Sequence, residues 1–212
     1  EVRVPPHVVG VHDDADGAVI MRTVLPCGTR VLTEKMPGQR SVSVGFWVSL
    51  GSRDEAPGML GSTHFLEHLL FKSTPTRTAT SIAQQIDAIG GELNAFTGKE
   101  HTCYYAHVLD TDLELAVALV SDVVLNGSCA AADVDLERDV VLEELAMRDD
   151  DPEDALGDVF LSTLFGDHPI GRPVTSILTV AVFKALVDRA DTCPGSRLPV
   201  PVTAALDEIA NI

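Results

Sequence analysis

Residues 41–50 read SVSVGFWVSL and alternate without a break. Val42, Val44, Phe46, Val48 and Leu50 share one side; Ser41, Ser43, Gly45, Trp47 and Ser49 share the other. Successive side chains of an extended chain point to opposite faces, so this period of two predicts a strand with one face on a core. The neighbouring segments follow from that commitment. Residues 18–24 and 29–34 read as strands around the turn signal Pro26-Cys27-Gly28. A loop, GSRDEAPG, leads into a helix over about 59–71. The run TSIAQQIDAIGG predicts a helix entered through Thr80 or Ser81 and ended by Gly90-Gly91. Strands follow at 92–97 and 102–109 around a turn containing Gly98, then helices over 111–125 and 133–149 and another after Pro152. Short connections allow antiparallel neighbours. The expected fold class is α+β, a mostly antiparallel β-sheet flanked by helices.

Composition sets the outer bounds. The chain has 212 residues, 45% of them hydrophobic and only 5% aromatic, so the expected core is built mainly from Ala, Val and Leu. A net charge of -17 with no basic patch argues against nucleic acid as a partner, and favours basic or unfolded peptides. No apolar run approaches the ~20 residues that span a bilayer, so no membrane partner is expected. The first residues, EVRVPPHVVG, lack the charged-then-apolar pattern of a signal peptide. Cys27, Cys103, Cys129 and Cys193 are scattered, with no C-x-x-C pair. They suit a reducing compartment rather than a disulfide framework or a thiolate metal site. Arginine outnumbers lysine, a bias of GC-rich bacterial genomes, and the expected location is the bacterial cytoplasm. Residues 1–16 read as a polar arm, 17–176 as the folded domain and 177–212 as a divergent tail.

The chemistry concentrates in STHFLEHLL, residues 62–70. On a helix, His64, Glu67 and His68 share one face, while Phe65, Leu66, Leu69 and Ser62 occupy the other. Two imidazoles one turn apart reach a single zinc ion at ~2.0–2.1 Å. Glu67 is poorly placed to be a third ligand from the same turn. It is well placed to hold a metal-bound water and take its proton. The spelling H-x-x-E-H is the reverse of the better-known H-E-x-x-H zinc-protease motif.

Zinc needs a further protein ligand, and residues 133–154, DVDLERDVVLEELAMRDDDPED, offer it. Glu137 and Glu144 lie seven apart, two helical turns, and share a face with Val141. A helix crossing the motif helix would present Glu144 as the oxygen ligand, with Glu137 behind it to orient a histidine or the water. Glu143 is the rival ligand, but it points about 100° away from Glu144 on the helix.

At this point the chain resembles a known family. GSRDE from 51, THFLEHLLFKSTPTR, GGELNAFTGKEHTCYYAHV, ERDVVLEELAMRDDDP and GDHPIGRPV up to 174 are similar to the N-terminal half of the inverzincins. These are the pitrilysin, insulin-degrading enzyme and mitochondrial processing peptidase family, and the likeness is greatest to actinobacterial processing-type zinc proteases. It covers about three quarters of the chain. It implies a zinc-dependent endopeptidase domain over 17–176, one half of a clamshell. One zinc per chain would be held by His64, His68 and Glu144, with Glu67 as the base, Glu137 as its helper, and zinc-bound water attacking a peptide carbonyl. By the same resemblance, GGELNAFTGKE is an edge strand where an extended peptide adds as a further strand, with Asn94, Ala95 and Phe96 as substrate-binding residues. Asp154 and Asp158 fall where presequence-processing relatives read a basic side chain. Members carry a second, similarly folded half that closes on the substrate. The resemblance does not extend to the last 36 or so residues. The implied partner is a second family half or another copy of the chain; the alternative to the endopeptidase reading is a catalytically incomplete half or non-catalytic partner subunit that binds zinc and peptide but needs a C-terminal half for activity.

Overall fold

A computed structural model of the chain describes residues 7–13 and 17–174. The expected tail over 177–212 lies outside the described residues. Two three-stranded antiparallel sheets form. The first contains β1 (His7–Asp13), β2 (Val19–Val24) and β3 (Arg30–Lys35) in the order β1-β2-β3. The second contains β4 (Ser41–Val48), β5 (Glu92–Thr97) and β6 (Thr102–Leu109) in the order β4-β6-β5. Residues 7–13 lie within the expected arm, yet they pair with β2, with a register shift between Val8 and Gly10. The helices are α1 (Ser62–Leu70), α2 (Ala79–Asp87), α3 (Leu113–Asn126), α4 (Ala131–Asp150) and α5 (Pro152–Phe165). Among the described residues no single helix is long and apolar enough to cross a membrane.

The alternation of β4 does what its period requires. Val48 is buried and Val44 and Phe46 pack on the core, whereas Ser41, Ser43, Gly45 and Trp47 are exposed. Central β6 adds Tyr104, Ala106 and Val108 to the same face. Onto it pack Phe65, Leu66, Leu69 and Leu70 of α1 and Ala116, Leu119, Val120, Val123 and Val124 of α3. Ile82 and Ile86 of α2 and Val134 and Val141 of α4 complete this core.

Two helix starts differ from the sequence expectation. The cap of α2 is Thr78, whose hydroxyl accepts from Ser81 N at 3.2 Å. Thr80 and Ser81 therefore lie inside the first turn, because a cap side chain reaches the amide three residues on. Helix α1 starts at Ser62 rather than near 59, since Gly61 at φ 86 turns the chain out of helical geometry.

Glu55 supplies what Gly61 lacks as a cap. Its buried carboxylate accepts from Gly61 N at 2.6 Å, from Thr63 N at 2.9 Å and from the Thr63 hydroxyl at 2.6 Å. Burial pushes Glu55 above the usual carboxyl range, against the pull of these bonds. The loop carrying Glu55 is itself pinned to the β5–β6 turn through Ser52 N to Gly98 O and Arg53 N to Lys99 O. Arg172 closes the assembly, donating to Glu55 O at 2.9 Å. The start of the motif helix is thus bonded to Glu55 and, through the loop that carries Glu55, to the β5–β6 turn and to Arg172.

Candidate metal centre

Helix α1 buries Phe65, Leu66, Leu69 and Leu70, which leaves His64, Glu67 and His68 on its half-buried side. Helix α4 crosses that side and buries Glu137 and Val141. Glu144, two turns beyond Glu137, comes up against the histidines. His64, His68 and Glu144 each offer a ligand atom, and these atoms all lie within 4.8 Å of one another. His64 Nε2 and His68 Nε2 are 3.3 Å apart. Glu144 Oε2 is 3.4 Å from His68 Nε2 and 3.8 Å from His64 Nε2. Donors bound to one tetrahedral zinc at ~2.0–2.1 Å stand about 3.3 Å apart, so this donor set fits the ion. Glu143 is exposed and lies outside the cluster.

The surroundings favour coordination. His68 Nδ1 lies 3.1 Å from Glu137 Oε2, a carboxylate partner that fixes the Nδ1–H tautomer and leaves Nε2 with its lone pair toward the cluster. Glu137 is 4% exposed, and its other oxygen takes Lys72 Nζ at 2.5 Å. Burial, with smaller pushes from His68 and Arg148, brings His64 down to about 4, so its imidazole is neutral near pH 7. That is the form that binds metal.

Glu67 is bonded by the Thr97 hydroxyl. Burial raises its carboxyl above the usual range, and the Thr97 bond and His68 work against that rise. Thr97 ends β5 on the face shared by Leu93 and Ala95, the face toward α1.

The expected substrate residues divide. β5 is an edge of its sheet, as the edge-strand reading requires. Alternation places Ala95 on the α1 side and the exposed side chains of Asn94 and Phe96 on the opposite face. Phe96 meets Trp47 edge-on there, with ring centroids 5.7 Å apart. Asn94 Oδ1 accepts from Ala95 N at 2.8 Å. Asp154 is exposed in the first turn of α5, which Asp151 caps. Asp158 is paired with Arg148 at 2.9 Å. Thr97, Lys72, Glu55 and Arg148 were not foreseen in the sequence. Thr97 was the most accessible of them, because the alternation of 92–97 puts it beside Ala95.

The sequence profile of insulinase, peptidase family M16, matches residues 30–176. An uncharacterized zinc protease of Mycobacterium leprae is 74% identical over 160 residues, covering 76% of this chain and 36% of that protein. A Streptomyces coelicolor counterpart is 54% identical over 155 residues, covering 73% and 34%. The chain thus spans about a third of the length of these relatives. Among solved structures, a Helicobacter pylori protease superposes with a TM-score of 0.68 at 24% identity, over 87% of this chain and 44% of its own. Pitrilysin superposes with a TM-score of 0.72 at 23% identity, over 100% of this chain and 21% of its own. At these identities the likeness speaks for the fold, whereas the profile match takes in most of the chain. The chain belongs to the insulinase family of peptidases, peptidase family M16.

Proposed function

We propose that the chain is the metal-binding part of a zinc endopeptidase, with one zinc per chain held by His64, His68 and Glu144. The observation that carries this reading is the convergence of those donor atoms within 4.8 Å, beside a carboxyl held by Thr97. The relatives named as zinc proteases support the choice of metal. Zinc, when bound, supplies Lewis acidity and makes water a stronger acid. The chain's own groups do the rest. Glu67 takes a proton from the attacking water on its carboxylate and returns it to the leaving amine. Its raised affinity for protons suits both transfers. Glu137 and Lys72 hold the His68 ring in orientation. The free edge of β5 offers main-chain groups to an extended, unfolded peptide.

A second reading is favoured by the span of the chain, 36% of the M. leprae relative. It is a half that binds zinc and peptide but turns over only with a further portion. One assay separates the two: hydrolysis of an unfolded peptide by the zinc-loaded chain, with and without chelator, beside Glu67→Gln. Chelator-sensitive cleavage lost in Glu67→Gln supports the peptidase reading. Peptide binding with no cleavage supports the second. Cleavage at the parent rate by Glu67→Gln would remove Glu67 from its role.

A further inference from the structure

Thr97 ends β5, and its hydroxyl donates to Glu67 Oε2. Among the described residues this is the one side-chain hydrogen bond of Glu67. Glu67 stands on the half-buried side of α1, next to His68 and one turn after His64, yet it is not among the donors that converge. A glutamate side chain has several staggered states, and one turn of helix does not choose among them. Here the choice is made from outside α1, by the Thr97 hydroxyl. Threonine suits that task. Its β-branched side chain is stiff at χ1, so the direction of the hydroxyl follows the backbone. That backbone is regular. Thr97 faces Thr102 in the last pair of the β5–β6 ladder, and Gly98 N donates to His101 O at 2.8 Å to close the turn. The turn in its place is bonded to the loop before α1, through Ser52 N to Gly98 O at 3.2 Å and Arg53 N to Lys99 O at 2.9 Å. Glu55 of that loop accepts from Gly61 N and Thr63 N at the start of α1. Helix α1 and the β5–β6 hairpin are thus linked by a second route, and the gap that the Thr97–Glu67 bond spans does not depend on that bond alone.

We propose that Thr97 is a positioning residue for the base: its hydroxyl holds the Glu67 carboxyl beside the metal donors but outside the ligand set, in one orientation from which it accepts a proton. The proposal rests on the zinc-and-base reading above. It gives a strand residue a task that the H-x-x-E-H helix does not complete by itself. Without the hydroxyl, the carboxyl is free to turn toward solvent or toward the metal donors, and in either state it is out of place as a base. β5 is also the free edge of its sheet, so the strand offered to a peptide is the strand that fixes the base. The task needs the hydroxyl at 97 and not the methyl. Serine should therefore serve there, whereas valine, of nearly the same shape, should not.

The test is binding of a short peptide hydroxamate to the zinc-loaded full chain at one fixed pH, read by titration calorimetry, with zinc content measured for every variant. A hydroxamate chelates zinc and gives up a proton to a neighbouring base, so its affinity reports on Glu67 without any turnover. Thr97→Val is expected to keep stoichiometric zinc and to bind the probe about 10-fold more weakly, the size of a lost hydrogen bond to a charged group. Thr97→Ser should stay within about 3-fold of the parent, because the donor is kept. Glu67→Gln should also weaken the probe, and adding Thr97→Val to it should have no further effect, because two groups that act as a unit are not additive. Thr97→Ala replaces Thr97→Val if the latter does not fold. Parent affinity in Thr97→Val, equal losses in Thr97→Ser and Thr97→Val, losses that multiply in the double variant, or loss of zinc in Thr97→Val would each overturn the proposal while leaving the zinc site and the base standing. No probe binding by the parent, or parent affinity in Glu67→Gln, would overturn the zinc-and-base reading itself, and the proposal with it.

Discussion

Each oxygen of Glu137 has a partner, His68 Nδ1 at 3.1 Å and Lys72 Nζ at 2.5 Å, and the residue is 4% exposed. A carboxylate so enclosed holds its imidazole in one orientation. Removing such a partner typically lowers metal affinity 10–100-fold. Glu137→Gln is therefore expected to bind zinc about 10–100-fold more weakly, read by competition with a chelator. His64→Ala and Glu144→Gln remove a proposed ligand outright and should lose stoichiometric zinc in metal analysis. Glu67→Gln should keep it, because Glu67 faces Thr97 and is not among the converging donors. Full zinc retention in both His64→Ala and Glu144→Gln would sink the ligand assignment. In the same Glu67→Gln protein hydrolysis should fall by ~10²–10⁴-fold, since an amide of equal size cannot accept the proton.

At the scale of elements, the seat of α1 decides where the histidines stand. Glu55 satisfies amides of its first turn from outside the helix. Glu55→Ala would leave those buried donors unpaired, and about 1–3 kcal/mol of stability should be lost in urea unfolding. Gly51 supports the same seat by close approach. A Cβ there would come within 2.5 Å of Glu100 N, against the backbone of the β5–β6 turn. Gly51→Ala is expected to cost about 1–3 kcal/mol, with the turn forced away from the loop. An unfolding midpoint equal to the parent's would show that the turn yields freely. Both changes should weaken zinc binding too, because His64 on α1 is held in place by this junction.

Across the whole molecule, the apolar surface is unevenly covered. Leu156, Val159, Phe160 and Leu164 lie on one face of α5 and are 68%, 60%, 60% and 60% exposed. A patch of that kind marks an interaction surface. The 212-residue chain is expected to self-associate, seen as a concentration-dependent sedimentation coefficient. It is also expected to be a poor peptidase by itself. Its described residues hold the proposed metal donors, the proposed base and one strand edge, and the chain covers only about a third of its relatives' length. Losing a single donor to a developing oxyanion typically costs about 10²–10³-fold in rate. Adding a separately made C-terminal portion of a full-length relative should raise hydrolysis of an unfolded peptide. Robust turnover by the monomeric chain, unchanged by that addition, would show that one wall suffices.

Local periodicity carried most of what could be read from the residues. The alternation of 41–50 set β4 and its inward face, and β5 and β6 lie at the residues expected for two strands around the Gly98 turn. Helical spacing put His64, Glu67 and His68 on one face and Glu137 with Glu144 on another, because both patterns depend only on neighbours a few residues away. Which faces meet depends on how α1 crosses α4, and a crossing has no local signature. The tertiary structure chose His68, across 69 positions, as the histidine that Glu137 orients, and it alone brought Thr97 to Glu67 across 30. It also divided the strands into two sheets and drew residues 7–13 into the first of them. Most tellingly, it paired Arg148 with Asp158. In the sequence Arg148 stands among many acids, with no local sign of which one it meets. The pairing follows from the bend at Asp151 and Pro152, which folds α5 back onto the last turn of α4.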